Sequence, residues 1–355
     1  MTNDNTGAEN QSGKNPGSSS PQSDDTAAAE SSMTIEQALA SAARLFSNRR
    51  FAEAEQLYRR ILQVDAENPV ALHLLGLIAF EARQPEAAIK LIRAAIDNAP
   101  DYFGAHNNLG NILRDQGRLE EALACYRQAT QIKPDYFEAF NNLGTTCYLM
   151  GNPEEAADNF RKAVSLNPGF AAAYNNLGNV LNELNNTSEA VTCYRQAIDR
   201  QNDFIEAYYN LAAARKSLGQ LDEAVSTLHR ALAIKPDHAD LHNLLGTTLQ
   251  KVGRMDEAVS HYRQAISLQP DLAVAHSNLG NAQELLGNLE AAADSYRRAL
   301  DIQPGFAEAA GSLGSVLLSL GRLDEGLAME QRGFGVIHFD SVSGVAIDPG
   351  MPEQP

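Results

Sequence analysis

The sequence predicts an all-α fold in which pairs of helices repeat along most of the chain. The first observation is a period of 34 residues, visible in two registers. The prolines of the first register are Pro100, Pro134, Pro168, Pro236, Pro270 and Pro304. The glycines of the second register are Gly76, Gly110, Gly144, Gly178, Gly246, Gly280 and Gly314. A period of this length is typical of solenoids, in which each repeat packs only against its neighbours.

The second observation is helical spacing in both halves of the 34-residue unit. We number each unit from position 1, and the units start at Ile35, Pro69, Phe103, Phe137, Ala171, Ile205, Ala239, Ala273 and Ala307. Apolar or small residues fall at positions 4, 7, 8 and 11, then at 20, 24 and 27, which predicts two helices for each unit. We expect residues 33–333 to form eight full units and a degenerate ninth. In that ninth unit Gly326, Glu330 and Gly333 replace packing residues and should give a polar cap.

The third observation is where glycine occurs within the unit. At position 15 glycine predicts the end of the first helix, because a left-handed C-terminal cap favours it. At position 8 it lies inside a helix, where it costs about 1 kcal/mol relative to alanine. Because this loss recurs along the chain, we expect close approach of the second helix through its alanine at position 20. Leucines at position 7 and aromatic residues at position 24, such as Leu109 and Tyr126, should fill the surrounding core.

These marks together resemble the tetratricopeptide repeat over residues 35 to 321: leucine and glycine at positions 7 and 8, alanine at 20, an aromatic residue at 24 and proline at 32. The resemblance implies antiparallel helix pairs stacked into a right-handed superhelix. It also implies that the first helices line a concave groove. Proteins of this class are expected to bind other proteins in that groove.

Asparagines mark the face of the first helix that the packing positions leave free. Positions 2, 6, 9 and 13 point away from the packing stripe. Their asparagines are Asn108, Asn142, Asn176, Asn210 and Asn278 at position 6, with Asn111, Asn179 and Asn281 at position 9. Because an amide both donates and accepts, this row can pair with the backbone of an extended peptide. The same face carries negative charge from Asp115, Glu183, Glu206 and Asp240.

A structural role for these asparagines is the alternative. They could solvate an exposed helix face, or form hydrogen bonds between adjacent units that stiffen the array. If Asn142, Asn176 and Asn210 are surface residues, replacing them with alanine should change stability by only about 0.5 kcal/mol each.

A closer resemblance concerns units of the form N-N-L-G-N-x-L-x-E and the segment 203–214. These resemble the repeat region of protein O-linked N-acetylglucosamine transferases, in which an asparagine ladder holds substrate polypeptides. The resemblance maps that role onto the position-6 asparagines, although Leu74, Leu244 and Ser312 interrupt the row. Two functions stay open. One is an adaptor that binds an extended peptide; the other is the substrate-recognition portion of a glycosyltransferase without its catalytic domain, which residues 334–355 are too few to contain.

The composition argues against several other functions. With 28 Lys+Arg against 45 Asp+Glu, the net charge of −17 disfavours nucleic acid and anionic membranes and favours basic or neutral protein partners. Three cysteines lack the spacing of a zinc site or a disulfide framework. No phosphate-binding loop, nucleophile elbow or H-E-x-x-H motif is present. We therefore expect a non-enzymatic chain with no catalytic residues, no metal and no cofactor.

The two termini lie outside the repeat pattern. Residues 1–32 are polar and should form a disordered tail without a secretory signal, and no apolar run is long enough for a membrane helix. A cytoplasmic location is the resulting expectation. Residues 334–355 form a non-repeat tail whose apolar stretches at 336–339 and 345–347 could pair as a hairpin, or could begin a truncated domain. The end units offer surfaces for self-association.

Overall fold

A computed structural model describes residues 33–334, 336–340 and 344–348 of the 355-residue chain. The predicted tail at 1–32 and parts of the segment 334–355 lie outside the described residues. Every unit contains two helices, so the predicted all-α solenoid of helix pairs is confirmed. The first helices are α1 Ile35–Ser47, α3 Pro69–Glu81, α5 Phe103–Asp115, α7 Phe137–Leu149, α9 Ala171–Glu183, α11 Ile205–Ser217, α13 Ala239–Val252, α15 Ala273–Leu285 and α17 Ala307–Ser319.

The second helices follow the same period. They are α2 Phe51–Val64, α4 Pro85–Asn98, α6 Leu119–Ile132, α8 Pro153–Leu166, α10 Thr187–Arg200, α12 Leu221–Ile234, α14 Met255–Leu268, α16 Leu289–Ile302 and α18 Leu323–Phe334. Among these helices, none combines the length and the apolar character needed to cross a membrane. After α18, strands β1 Val336–Asp340 and β2 Gly344–Asp348 pair antiparallel as a hairpin.

Position 15 ends the first helix in every unit. Six glycines there have φ between 73° and 87°. The three units without glycine keep the same left-handed conformation at Arg49, Arg83 and Asn185. The prediction from glycine is confirmed, and the geometry persists where glycine is missing because the following helix must turn back onto its partner.

In units 3, 4, 5, 7 and 8 the glycine at position 8 faces the aromatic ring at position 24. A Cβ added at Gly110 would lie 2.7 Å from Cε1 of Tyr126, and one added at Gly144 would lie 2.9 Å from Cε1 of Phe160. The expected close approach is confirmed, but its main partner is the aromatic ring and not the alanine at position 20. At Gly144 the unit's alanine, Ala156, contributes only its carbonyl oxygen, at 3.1 Å.

Contacts between units place the first helices on one side of the stack. Each second helix packs against the first helix of the next unit, and first helices of adjacent units, such as α5 and α7, also touch. Second helices of adjacent units make no comparable contact within the described residues. The first helices therefore form the inner, more closely spaced wall.

The three cysteines fit the role of core filler. Cys147 and Cys193 are buried, Cys125 is half-buried, and none forms a disulfide. Burial raises the pKa of each thiol to about 11, so the thiols are protonated at neutral pH.

Candidate binding surface on the first helices

The position-6 asparagines form hydrogen bonds between units. Each donates from Nδ2 to the side chain at position 5 of the preceding unit, which is asparagine in four pairs and histidine in one, and we call each such pair a rung. The four asparagine rungs are Asn142 to Asn107 (3.0 Å), Asn176 to Asn141 (3.1 Å), Asn210 to Asn175 (3.1 Å) and Asn278 to Asn243 (2.9 Å). A fifth rung joins Nδ2 of Asn108 to Nε2 of His73 at 3.0 Å.

The rungs contribute to stability because some of their amides are buried. The acceptors Asn107 and Asn175 are only 4% and 1% exposed, whereas the donors Asn142 and Asn210 are half-buried. A buried amide without a partner would cost about 1–3 kcal/mol. Hydrogen bonding between units, the structural alternative from the sequence, is confirmed. The expectation that alanine variants at Asn142, Asn176 and Asn210 change stability by only about 0.5 kcal/mol each is corrected, because each would strand a partner amide.

A pattern in the sequence matches the rungs once two adjacent units are compared. Position 5 of one unit and position 6 of the next carry side chains of the same kind at every junction. Amide or imidazole pairs form the rungs, and the other pairs are Leu39 with Leu74, Tyr209 with Leu244, and Ser277 with Ser312. The pairing of positions 5 and 6 is not visible within a single helix, because the paired residues are 35 positions apart in the sequence.

The position-9 asparagines accept hydrogen bonds from the core. The Tyr126 hydroxyl donates to Oδ1 of Asn111 at 2.8 Å, and the Tyr194 hydroxyl donates to Oδ1 of Asn179 at 2.9 Å. Asn281 accepts from Nε2 of Gln250. The three units with asparagine at position 9 all have tyrosine at position 24, and the two side chains are bonded in units 3 and 5, whereas the Tyr296 hydroxyl of unit 8 donates to Oε2 of Glu284 at 2.9 Å.

A carboxylate fixes the direction of the best-connected rung. Oε1 of Glu206 accepts from Nδ2 of Asn175 at 2.9 Å, and an ionised carboxylate can only accept. Asn175 must therefore turn Oδ1 towards Asn210, whose Nδ2 also donates to Oδ1 of Asn179 at 3.0 Å. The amide orientations in this network are set by their partners.

The remaining polar atoms divide into two kinds. Within the described part of the chain, no donor contacts Oδ1 of Asn142, Asn176 or Asn210, and no acceptor contacts Nδ2 of Asn111 or Asn179. These side chains are half-buried. Position 6 thus offers acceptors and position 9 offers donors along one wall, which is the complement of a peptide backbone.

Charge on this face changes along the array. Asp115, Glu183, Glu206 and Asp240 are exposed. Oε2 of Glu183 accepts from the Tyr148 hydroxyl at 2.5 Å, and this bond raises the pKa of Tyr148.

Lysines lie on the same face in the units nearer the C-terminus. Lys216 donates to Oγ1 of Thr247 at 3.0 Å, and burial, together with the charge of Lys251, lowers the pKa of Lys216. Thr247 and Lys251 line a depression of about 360 Å³ shared with Asn278, Asn281 and Glu308. The wall is therefore acidic in units 3–5, and it carries charges of both signs from unit 6 onwards.

The histidines serve local contacts. At position 4, His106, His242 and His276 place Nε2 2.9–3.0 Å from the carbonyl oxygen of the proline six residues before each. Burial lowers the pKa of His73 to about 4. Across the residues that the structure describes, no group of three or more histidine, cysteine or acidic side chains could hold a metal ion.

The helix pairs, their 34-residue period and their fixed glycines define a tetratricopeptide-repeat protein. Residues 273–306, the eighth unit, match the tetratricopeptide repeat model, and residues 27–277 match the family model described as the cilia and flagella-associated protein 70 C-terminal domain. Since the second match covers more than two thirds of the chain, the chain belongs to that family.

Solved structures with the same kind of fold are distant in sequence. PilF of Pseudomonas aeruginosa is 20% identical, with 57% of this chain and 92% of that chain covered and a TM-score of 0.53, and it supports the fold alone. YrrB, described as a TPR protein with an unusual peptide-binding site, is 26% identical, with 52% of this chain and 95% of that chain covered and a TM-score of 0.46. MamA of Desulfovibrio magneticus RS-1 is 20% identical, with 47% of this chain and 95% of that chain covered and a TM-score of 0.45. No curated protein sequence matches the chain.

Proposed function

We propose that this chain is a protein–protein interaction scaffold whose first-helix wall binds an extended segment of a partner. The observation that carries the proposal is the row of half-buried asparagines, whose amide orientation Glu206 fixes in the network of Asn175 and Asn210. Position 6 leaves Oδ1 atoms, and position 9 leaves Nδ2 atoms, without partners inside the described chain. A peptide backbone supplies both complementary groups, so such a wall would bind many sequences with limited reading of side chains.

The charge of the wall restricts the kind of partner segment that it can bind. The carboxylates of Asp115 and Glu183 favour a segment that is basic or neutral where it crosses units 3–5. With a net charge of −17, the whole chain also attracts basic partners at long range. Binding should weaken as salt is raised, because exposed charges are screened within about 8 Å at physiological ionic strength.

Testing the wall requires variants that keep the hydrogen bonds of the fold. Asn111→Asp with Asn179→Asp retains an oxygen acceptor for the hydroxyls of Tyr126 and Tyr194 but removes the outward amide donors. A matched control on the opposite face is Arg127→Gln with Glu155→Gln, which removes an exposed ion pair between α6 and α8. Both variants should fold, as circular dichroism and thermal melting can verify.

The measurement is affinity purification with mass spectrometry, followed by peptide scanning of the partners recovered. We expect the Asp variant to lose partners that the wild type and the control retain, with the bound peptides in extended, neutral or basic segments. Undiminished recovery of every partner by the folded Asp variant would refute the wall as the binding surface.

A second candidate rests on the N-N-L-G-N-x-L-x-E units. On that proposal the wall presents polypeptide substrates to a glycosyltransferase domain resembling the O-linked N-acetylglucosamine transferases. The coding sequence next to this chain distinguishes the two candidates. An adjoining transferase domain supports substrate selection, and its absence leaves the adaptor.

A further inference from the structure

The two ends of the helical array leave different faces open. Positions 3 and 10 of the first helix are buried in every unit that follows another unit. In α1, which follows none, these positions are Gln37 and Arg44, and both are exposed. The start of the array therefore carries polar residues on the face where a preceding unit would pack, as expected for a capped end.

Within the residues that the structure describes, the face at the end of the array is not polar in the same way. Position 21 is apolar in units 2–8 and is buried or half-buried there, beside the first helix of the next unit. In α18 the residues at positions 17 and 21 are Leu323 and Leu327, which are 61% and 59% exposed. The sequence leads us to expect a polar cap at the ninth unit, and on this face α18 presents Leu323 and Leu327, the apolar side chains of an internal junction.

Close packing holds α18 in place as a platform. A Cβ added at Gly333 would lie 2.3 Å from the backbone nitrogen of Gly311, and one added at Gly326 would lie 2.7 Å from Cγ of Leu318. The glycines that look degenerate in the sequence let the backbones of α17 and α18 touch. Arg332 also donates to the carbonyl oxygen of Pro304 at 3.0 Å. Leu323 and Leu327 are therefore displayed on a fixed helix.

The eight junctions inside the chain show what covers this kind of face. The covering helix has alanine at position 3 in seven of them, and Leu241 in the other. Seven residues later it has Ile, Val, Thr or Ala. A second copy stacking head to tail would instead bring Arg44 against Leu327, which would bury an unpaired charge. Helix α1 of a second copy therefore fits this face of α18 poorly.

We propose that the outer face of α18 is a docking site for a helix of another protein that carries the first-helix pattern, an alanine followed seven residues later by a small or β-branched residue. Such a helix would extend the existing interface between units by one further layer. This site lies at the end of the array and does not depend on the asparagine wall.

The test uses the whole chain and a fluorescent synthetic peptide with the sequence of residues 171–204, one complete unit that presents Ala173 and Val180. A control peptide carries Ala173→Gln and Val180→Arg, which reproduces the residues of α1. The chain variant is Leu323→Glu with Leu327→Glu. These leucines are exposed, so the variant should keep the melting temperature of the wild type.

Fluorescence anisotropy should show saturable binding of the unit peptide, weakened at least tenfold by either the control substitutions or the chain variant. Hydrogen exchange should show protection in α18. Equal binding of both peptides, or full binding to the chain variant, would overturn the proposal. Light scattering that shows a dimer abolished by the same leucine changes would overturn it as well, in favour of two α18 faces meeting.

Discussion

Units 3–5 and unit 6 solve the same packing problem with different residues. Units 3–5 place glycine at position 8 opposite an aromatic ring, whereas unit 6 has Ala212 and Leu228 at the same two positions. The junctions at the start of units 3–6 are held by rungs, whereas the junction between units 6 and 7 has Tyr209 and Leu244 at the two rung positions. The residues at paired positions therefore differ together between units: where one member of a pair changes, the other member changes as well.

A large effect is expected from breaking a matched pair in the core. Gly144→Leu should destabilise the protein by roughly 1–3 kcal/mol, because the site opposite Phe160 has no room for a side chain. Urea denaturation measures the change. Gly144→Ala combined with Phe160→Leu, which copies unit 6, should be more stable than Gly144→Ala alone. An unchanged melting temperature for Gly144→Leu would contradict the packing.

The first rung should make stability depend on pH. His73 accepts from Asn108 through Nε2 and donates through Nδ1 to the Tyr102 hydroxyl (2.9 Å), so it is neutral. Its folded pKa of about 4 lies below the unfolded value of about 6.5, so the unfolded state binds more protons between these values. Stability should fall as pH drops from 6.5 towards 4, by about 2–3 kcal/mol for this group.

The matched control for that prediction is His73→Asn, which replaces the titrating rung with the asparagine rung of the neighbouring units. Melts at a series of pH values should show a shallower loss of stability for this variant than for the wild type. Identical pH profiles would mean that His73 does not control this dependence.

A smaller effect is expected where tyrosine hydroxyls meet the position-9 asparagines. Tyr126→Phe removes the bond to Asn111 and should cost about 1 kcal/mol. Tyr58→Phe is the internal comparison, because the buried Tyr58 hydroxyl has no partner among the described residues. That change should be neutral or stabilising in thermal melts. A larger cost at Tyr58 than at Tyr126 would contradict the role assigned to Asn111.

The sequence predicts the helix pairs well, because each unit repeats its own helix boundaries and packing stripe. It also predicts the turn at position 15, and the turn survives at Arg83 without glycine because the packing of the flanking helices imposes it. The rungs are harder to predict, since Asn107 and Asn142 belong to different units. The apolar pair Leu323 and Leu327 on α18 is also hard to recognise from the sequence, because most of the other residues of this helix are polar or small.

The central claim is that the asparagines of adjacent units act as pairs. A double-mutant cycle tests it directly, with Asn107→Leu and Asn142→Leu made singly and together, the combined variant copying the natural pair Leu39 and Leu74. Asn142→Leu should cost about 1–3 kcal/mol, because it leaves the buried amide of Asn107 without its partner. Asn107→Leu should cost less, because the Asn142 amide that it leaves unpaired is half-buried, and the double variant should recover most of the loss of Asn142→Leu. Free energies of unfolding that simply add, with no recovery in the double variant, would contradict the account.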